Sequence, residues 1–141
     1  MGEAVKRFSL KALDAAEASA SAGEWVIPKI GGRVKVVPLK DRECQQKFER
    51  EREKIRRRES VKKGTDLPPS LDGEAFARAI VGTYVTEWEG FDGPDDQPLP
   101  LTEDNFQNIA SRTSLFEDVF AVISLRKEEH KERIESNLGN S

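Results

Sequence analysis

Few residues of this chain have the types and spacing that chemistry requires. Asp92, Asp95 and Asp96 gather in the stretch TEWEGFDGPDDQPLPLTEDNF, residues 86–106. A calcium loop needs oxygen ligands at alternating positions and a closing bidentate glutamate. This stretch lacks that spacing, and its prolines limit how far it can wrap an ion, so it reads as a polar corner. His130, the only histidine, lies in a charged segment with no second ligand or nucleophile beside it. Cys44 is the only cysteine, so no internal disulfide can form, and it has no neighbouring general base. Acidic pairs abound, but none has the apolar surroundings that raise a carboxyl pKa for acid catalysis. Neither G-x-x-x-x-G-K-[ST] nor G-x-G-x-x-G occurs. The expectation is a protein without catalytic residues, metal ligands or cofactor.

The remaining candidates concern binding. KIRRRESVKK (54–63), with Arg50 just before it, offers Arg50, Arg56, Arg57 and Arg58 as an electrostatic patch for phosphates. Glu49, Glu51, Glu53 and Glu59 are interleaved with it, and no aromatic residue stands near for base stacking. A solvated helix with ion pairs among Glu49, Glu53, Arg50 and Lys54 explains the same letters, so nucleic acid is not the expected partner. The second set is apolar: Phe76, Ile80, Tyr84, Trp88, Phe91, Leu99, Phe116 and Phe120. Trp88 reads as the end of an apolar row. Phe91 and Leu99 stay open between a partner-facing patch and a fold-back over Trp88.

Composition bounds what can position these residues. The 141 residues are about one domain's worth. Charged residues make up 35% and apolar ones 36%, which implies a small core under a highly charged surface. Net charge is −3, unevenly spread. Residues 41–63 hold ten Lys/Arg against six Asp/Glu, whereas 64–125 hold two against twelve. Such polarity steers encounters and favours self-association. No run approaches the ~20 apolar residues of a membrane helix, and the first residues lack a signal-peptide pattern. A soluble cytoplasmic protein without membrane contact is expected.

The pattern predicts a mainly α fold with an N-terminal β-hairpin. Residues 1–23 read as weakly ordered, with Ser9 capping a short helix through Ala16. A single domain follows over 24–125. Its hairpin spans 24–37, turning at Gly31-Gly32, with Pro28 on an edge strand and Val34 and Val36 on one face, opposite Arg33, Lys35 and Val37. Asp41 is expected to cap a charged helix over 41–63 with a narrow stripe of Cys44, Phe48 and Ile55. Phe76, Ile80, Tyr84 and Trp88 fall every fourth residue and predict a helix over 71–88. Thr102 caps a helix over 103–112, and Ser114 with Glu117 forms a capping box for one over 114–125. Residues 126–141 read as a charged, frayed tail.

Several stretches together resemble the tail assembly chaperones of long-tailed bacteriophages. These are the GEWV entry to a strand, the basic GGRVKVVPL, a charged helix, the segment TEWEGFDGPDDQPLPLTEDNF, a short helix and a charged end. The recurring core of that family maps here onto Trp88, Gly90, Asp92, Gly93, Pro98, Pro100 and Thr102. The likeness covers about residues 24 to 140. The Ala/Ser-rich start and the Arg-rich helix depart from it. The resemblance implies a non-catalytic late protein of the host bacterial cytoplasm, absent from the mature virion. It would bind the tape measure protein and keep it soluble until the tail tube polymerises around it. The tail tube protein and a frameshift-extended form of the chain itself are further implied partners. Leu138-Gly139-Asn140 can be encoded through the slippery heptamer G-GGA-AAT or G-GGA-AAC, and reading the gene at these codons tests that expectation.

Overall fold

The computed structural model describes residues 7–20 and 22–139. The described residues form five helices and one small antiparallel sheet, in the order α1 (Leu10–Ala20), β1 (Glu24–Val26), β2 (Arg33–Val36), α2 (Asp41–Arg58), α3 (Pro69–Ile80), β3 (Val85–Glu89), α4 (Glu103–Ala110) and α5 (Leu115–Gly139). The fold is mainly α with a minor β component, as expected. Among the described residues, no helix is long and apolar enough to cross a membrane.

The hairpin forms where expected, pairing Glu24 with Val36 and Val26 with Val34. It does not stand as a two-stranded unit, because β3 adds to the other side of β2 and pairs Arg33 with Glu89 and Val34 with Trp88. Central β2 turns Val34 and Val36 fully into the core. Val37, assigned by alternation to the outer face, is buried as well. Gly32 has a φ of +68°, and a Cβ there would stand 2.6 Å from the Phe91 ring. A Cβ on Gly90 would in turn stand 3.2 Å from the Gly32 Cα. The second glycine of the pair therefore serves the packing of β3 as much as the turn.

The predicted helix over 71–88 is corrected. Helix α3 stops at Ile80, Gly82 takes a left-handed φ of +84°, its amide donates to the Val85 carbonyl, and the chain re-enters as β3. The every-fourth spacing spans three structures: Phe76 and Ile80 on the helix, Tyr84 in the turn, Trp88 on the strand. The β-branched run Val81, Thr83, Val85 and Thr86 around a glycine was the competing signal.

Other boundaries move for local reasons. Helix α2 ends at Arg58, not Lys63, and Ser60 beyond it has a φ of +55°. Asp41 does not cap it, since its carboxylate is taken by Tyr84 and Lys127. Thr102 caps α4 as expected, accepting from the Asn105 amide at 3.1 Å. The Ser114–Glu117 box does not form. Ser114 instead donates to Asp118, and Thr113 Oγ1 accepts from the Leu115 amide. At the start of the chain Ser9 accepts from the Ala12 amide, and α1 runs beyond Ala16 to Ala20; residues 1–6 lie outside the described residues.

The segment read as a charged tail continues helix α5 through residue 139. Helix α5 runs 25 residues, about 37 Å at 1.5 Å per residue. Leu115, Val119 and Ile123 bury one face, and beyond them Arg126 pairs with Glu24, Lys127 pairs with Asp41, and His130 is buried. These ties to β1 and the start of α2 hold a segment whose own residues are mostly charged. Gly32→Ala should lower stability by about 2 kcal/mol, since the added methyl meets the Phe91 ring in a strained backbone region. Urea unfolding of the purified variant checks this.

Candidate interaction site

The apolar residues nominated from sequence separate into two groups. Around the acidic loop, Trp88 and Phe91 stack with ring centres 4.3 Å apart, and Phe106 lies beneath them at 6.4 Å from Trp88. Trp88 Nε1 donates to the Leu99 carbonyl at 2.8 Å. The Leu99 amide returns a bond to the Phe91 carbonyl, and the Gly93 amide bonds that of Gln97. Residues 91–99 are thus a tight hairpin-like corner that folds Phe91 and Leu99 back over Trp88. Phe91 is buried, and Trp88 and Leu99 are half-buried against the core. Ile80 and Tyr84 are core residues too. Phe91, Ile80 and Tyr84 are thus withdrawn from solvent, while Trp88 and Leu99 keep part of their surface but are engaged with each other. Among the described residues, no group of three or more His, Cys, Asp or Glu could hold a metal ion.

Phe76, Phe116 and Phe120 form the second group, and Phe48 joins them. The Phe76 ring stands edge-on to Phe48 at 5.3 Å, to Phe116 at 5.7 Å and to Phe120 at 5.3 Å. Phe116 and Phe120 lie parallel, one helical turn apart, at 5.5 Å. Each such pair adds about 1 kcal/mol beyond simple burial. All four rings are half-buried, so the cluster joins α2, α3 and α5 while presenting apolar edges to solvent. The sequence put Phe48 on the α2 stripe but gave no sign that α2 and α5 meet at Phe76. On the α4 side of Phe116 runs a groove of about 360 Å³, with Gly73, Ala77 and Ala110 along it and Glu74 and Glu117 among its polar residues. Small residues at these places were not singled out by the sequence pattern.

Charged groups fix both borders. At one end of the ring cluster, the Tyr84 hydroxyl donates to the Asp41 carboxylate, and Lys127 Nζ lies 2.6 Å from Asp41 and donates to the Tyr84 oxygen at 3.2 Å. Burial works to raise the Asp41 pKa, but the hydrogen bonds from Lys127 and Tyr84 outweigh it and hold the group below its usual value. Burial and the bond to Asp41 push the Tyr84 phenol up.

Between α2, α3 and α4 lies a second network. Glu51 is only 2% exposed and faces Arg78 at 3.5 Å and Lys54 at 3.3 Å. Arg78 also meets Asp104 at 2.7 Å, and Lys47 meets Glu103 at 2.7 Å. Burial tends to raise the Glu103 pKa, yet the Lys47 bond and the Lys47 and Arg78 charges bring it below its ordinary value.

Half of the nominated basic patch is taken up by such pairing. Arg56 holds Glu53 at 2.6 Å, and Arg58 holds both Glu59 and Glu74. Arg52 Nε stands 3.0 Å from Asp72, an ion pair without hydrogen-bond alignment. Of the four nominated arginines, Arg50 and Arg57 make no ion pair among the described residues. The pairs within α2 join Glu49 to Arg52, Glu51 to Lys54 and Glu53 to Arg56, and none joins two of the expected partners Glu49, Glu53, Arg50 and Lys54. Comparison of the chain with protein-family models, with curated proteins and with solved structures gives no match.

Two outcomes follow from these networks. Arg78→Met should cost about 3 kcal/mol, because it strips a buried Glu51 of its cross-helix partner, and chemical denaturation measures it. Asp41 and Glu103 have folded-state pKa values below their unfolded ones, so the unfolded chain takes up protons first on acidification. Their stabilisation is therefore complete at neutral pH and is lost as pH falls below about 4.5. Thermal unfolding across pH 7 to 3 should show this fall, and Glu103→Gln should make it shallower.

Proposed function

We propose that this protein is a non-catalytic tail assembly chaperone of a long-tailed bacteriophage, which binds the tape measure protein and keeps it soluble until the tail tube polymerises around it. The observation that carries this reading is the Phe48, Phe76, Phe116 and Phe120 cluster, a half-buried aromatic group that keeps part of its surface in solvent on an otherwise heavily charged body. A holder of apolar helices needs rigid apolar contact area that does not cause its own aggregation. Edge-to-face rings provide the first, and the surrounding charge provides the second. The GEWV, GGRVKVVPL and Trp-x-Gly corner motifs support the same reading. It places the chain in the host cytoplasm during assembly and leaves it out of the finished particle. The tail tube protein and a frameshifted longer product are its further partners.

A nucleic-acid role on α2 is less well supported, because Arg56 and Arg58 are engaged with acids of the same chain. Salt separates the two readings. A phosphate binder loses affinity steeply between about 50 and 200 mM salt, whereas gripping of apolar helix is far less sensitive.

Co-expression with the tape measure protein, followed by size-exclusion chromatography, tests the proposal. A soluble complex is expected, and Phe116→Ser with Phe120→Ser should return the client to the insoluble fraction while circular dichroism still reports a folded chaperone. A tape measure protein that stays insoluble beside wild-type chain would overturn the proposal for this form.

A further inference from the structure

The loop between β1 and β2 carries the most exposed large apolar side chain on the described surface. Ile27 is 79% exposed and Ile30 44%, yet the loop that carries them is firmly built. Pro28 between them is buried, and the Gly31 amide closes a turn on the Pro28 carbonyl. The Lys29 amide donates to the Asp118 carboxylate at 2.9 Å, tying the loop to the first turns of α5, and that bond is the main reason the Asp118 pKa lies below its ordinary value. A loop fixed in this way presents Ile27 and Ile30 without having to order on binding, which removes part of the entropy that association costs. Lys29 stands exposed between the two isoleucines.

A surface of matching character exists on the same molecule. The groove between α3, α4 and the start of α5 has small residues, Gly73, Ala77 and Ala110, along the Phe116 ring, and Glu117 on its border is exposed with no ion pair among the described residues. Apolar knobs flanking a lysine complement a small-residue groove edged by a glutamate. Within one chain the two do not meet, since neither isoleucine borders the groove and both face solvent. We infer that the Ile27–Ile30 loop of one copy docks into the Gly73–Ala77–Ala110 groove of a second copy, with Lys29 against Glu117, and that the protein self-associates through this contact.

The contact leaves the Phe76 and Phe120 edges outside it, because the groove lies on the opposite, α4 side of Phe116. It needs no client and is tested on the full chain alone. Sedimentation velocity over a range of concentrations should show reversible self-association of the wild type. Ile27→Asp with Ile30→Asp should weaken it more than about tenfold, as loss of central apolar anchors does, with circular dichroism unchanged. Lys29→Glu and Glu117→Lys should each weaken it, since each leaves like charges facing. Mixing the Lys29→Glu chain with the Glu117→Lys chain should restore association, because opposite charges then face each other across the contact. A wild type that remains monomeric throughout would overturn the inference. So would association indifferent to the isoleucine substitutions, or a mixture no stronger than its two components. If association fails these tests while the tape measure protein is still held soluble, the self-contact is wrong and the chaperone reading stands.

Discussion

Helix α2 offers the body only a narrow line of apolar surface, and the pairing of its charges with α3 and α4 fixes the geometry in which that line docks. Cys44, Phe48 and Ile55 form a single narrow line on eighteen residues. The remaining contact is ionic: Glu51 under Arg78, Lys47 against Glu103, Arg52 against Asp72 and Arg58 against Glu74. Burying a carboxylate such as Glu51 is costly unless partners surround it, so this arrangement specifies one docking geometry more than it adds stability. The ring cluster follows from that geometry. Without α2 in register, Phe48 would not reach Phe76, and the aromatic surface would lose one of its three walls.

The sheet and α5 form the other half of the frame. Central strand β2 turns Val34 and Val36 into the interior, and β3 brings Trp88 beside Val34. Helix α5 crosses this layer with Leu115, Val119 and Ile123, then continues past it on ion pairs with Glu24 and Asp41. Tyr84 lies where both halves meet, its ring in the core and its hydroxyl on Asp41. The two surfaces proposed for binding therefore rest on the same supports. The ring cluster depends on α2 and α5, and the groove on α3, α4 and α5.

An acidic-to-basic imbalance along the chain suggested two poles, one fit for phosphates and one for partners. Folding cancels much of that imbalance by placing α2 against acids of α3 and α4. What remains at the surface is mixed charge around limited apolar area, a combination that suits a soluble holder of apolar helices better than a nucleic-acid clamp.

The sequence by itself determined the elements whose signals are local. These are the mainly α class, the Gly31-Gly32 hairpin with Val34 and Val36 inward, and the Thr102 cap. Each depends on residues within a few positions of one another, so propensity and periodicity reach them. The charged corner at 91–99 was legible as a corner, but whether Phe91 and Leu99 faced outward was left open, and the Trp88 indole settled it by stacking on one and hydrogen-bonding the other. Tertiary structure alone decided the rest. Gly82 and the demand of β2 for a second partner turned the end of an apolar helical row into strand β3. The acids of α2 and β1 captured Lys127 and Arg126 and made a helix of an apparent tail. Phe76 joins Phe48 of α2 to Phe116 and Phe120 of α5, and no local pattern encodes a contact between rings that meet only when three helices pack.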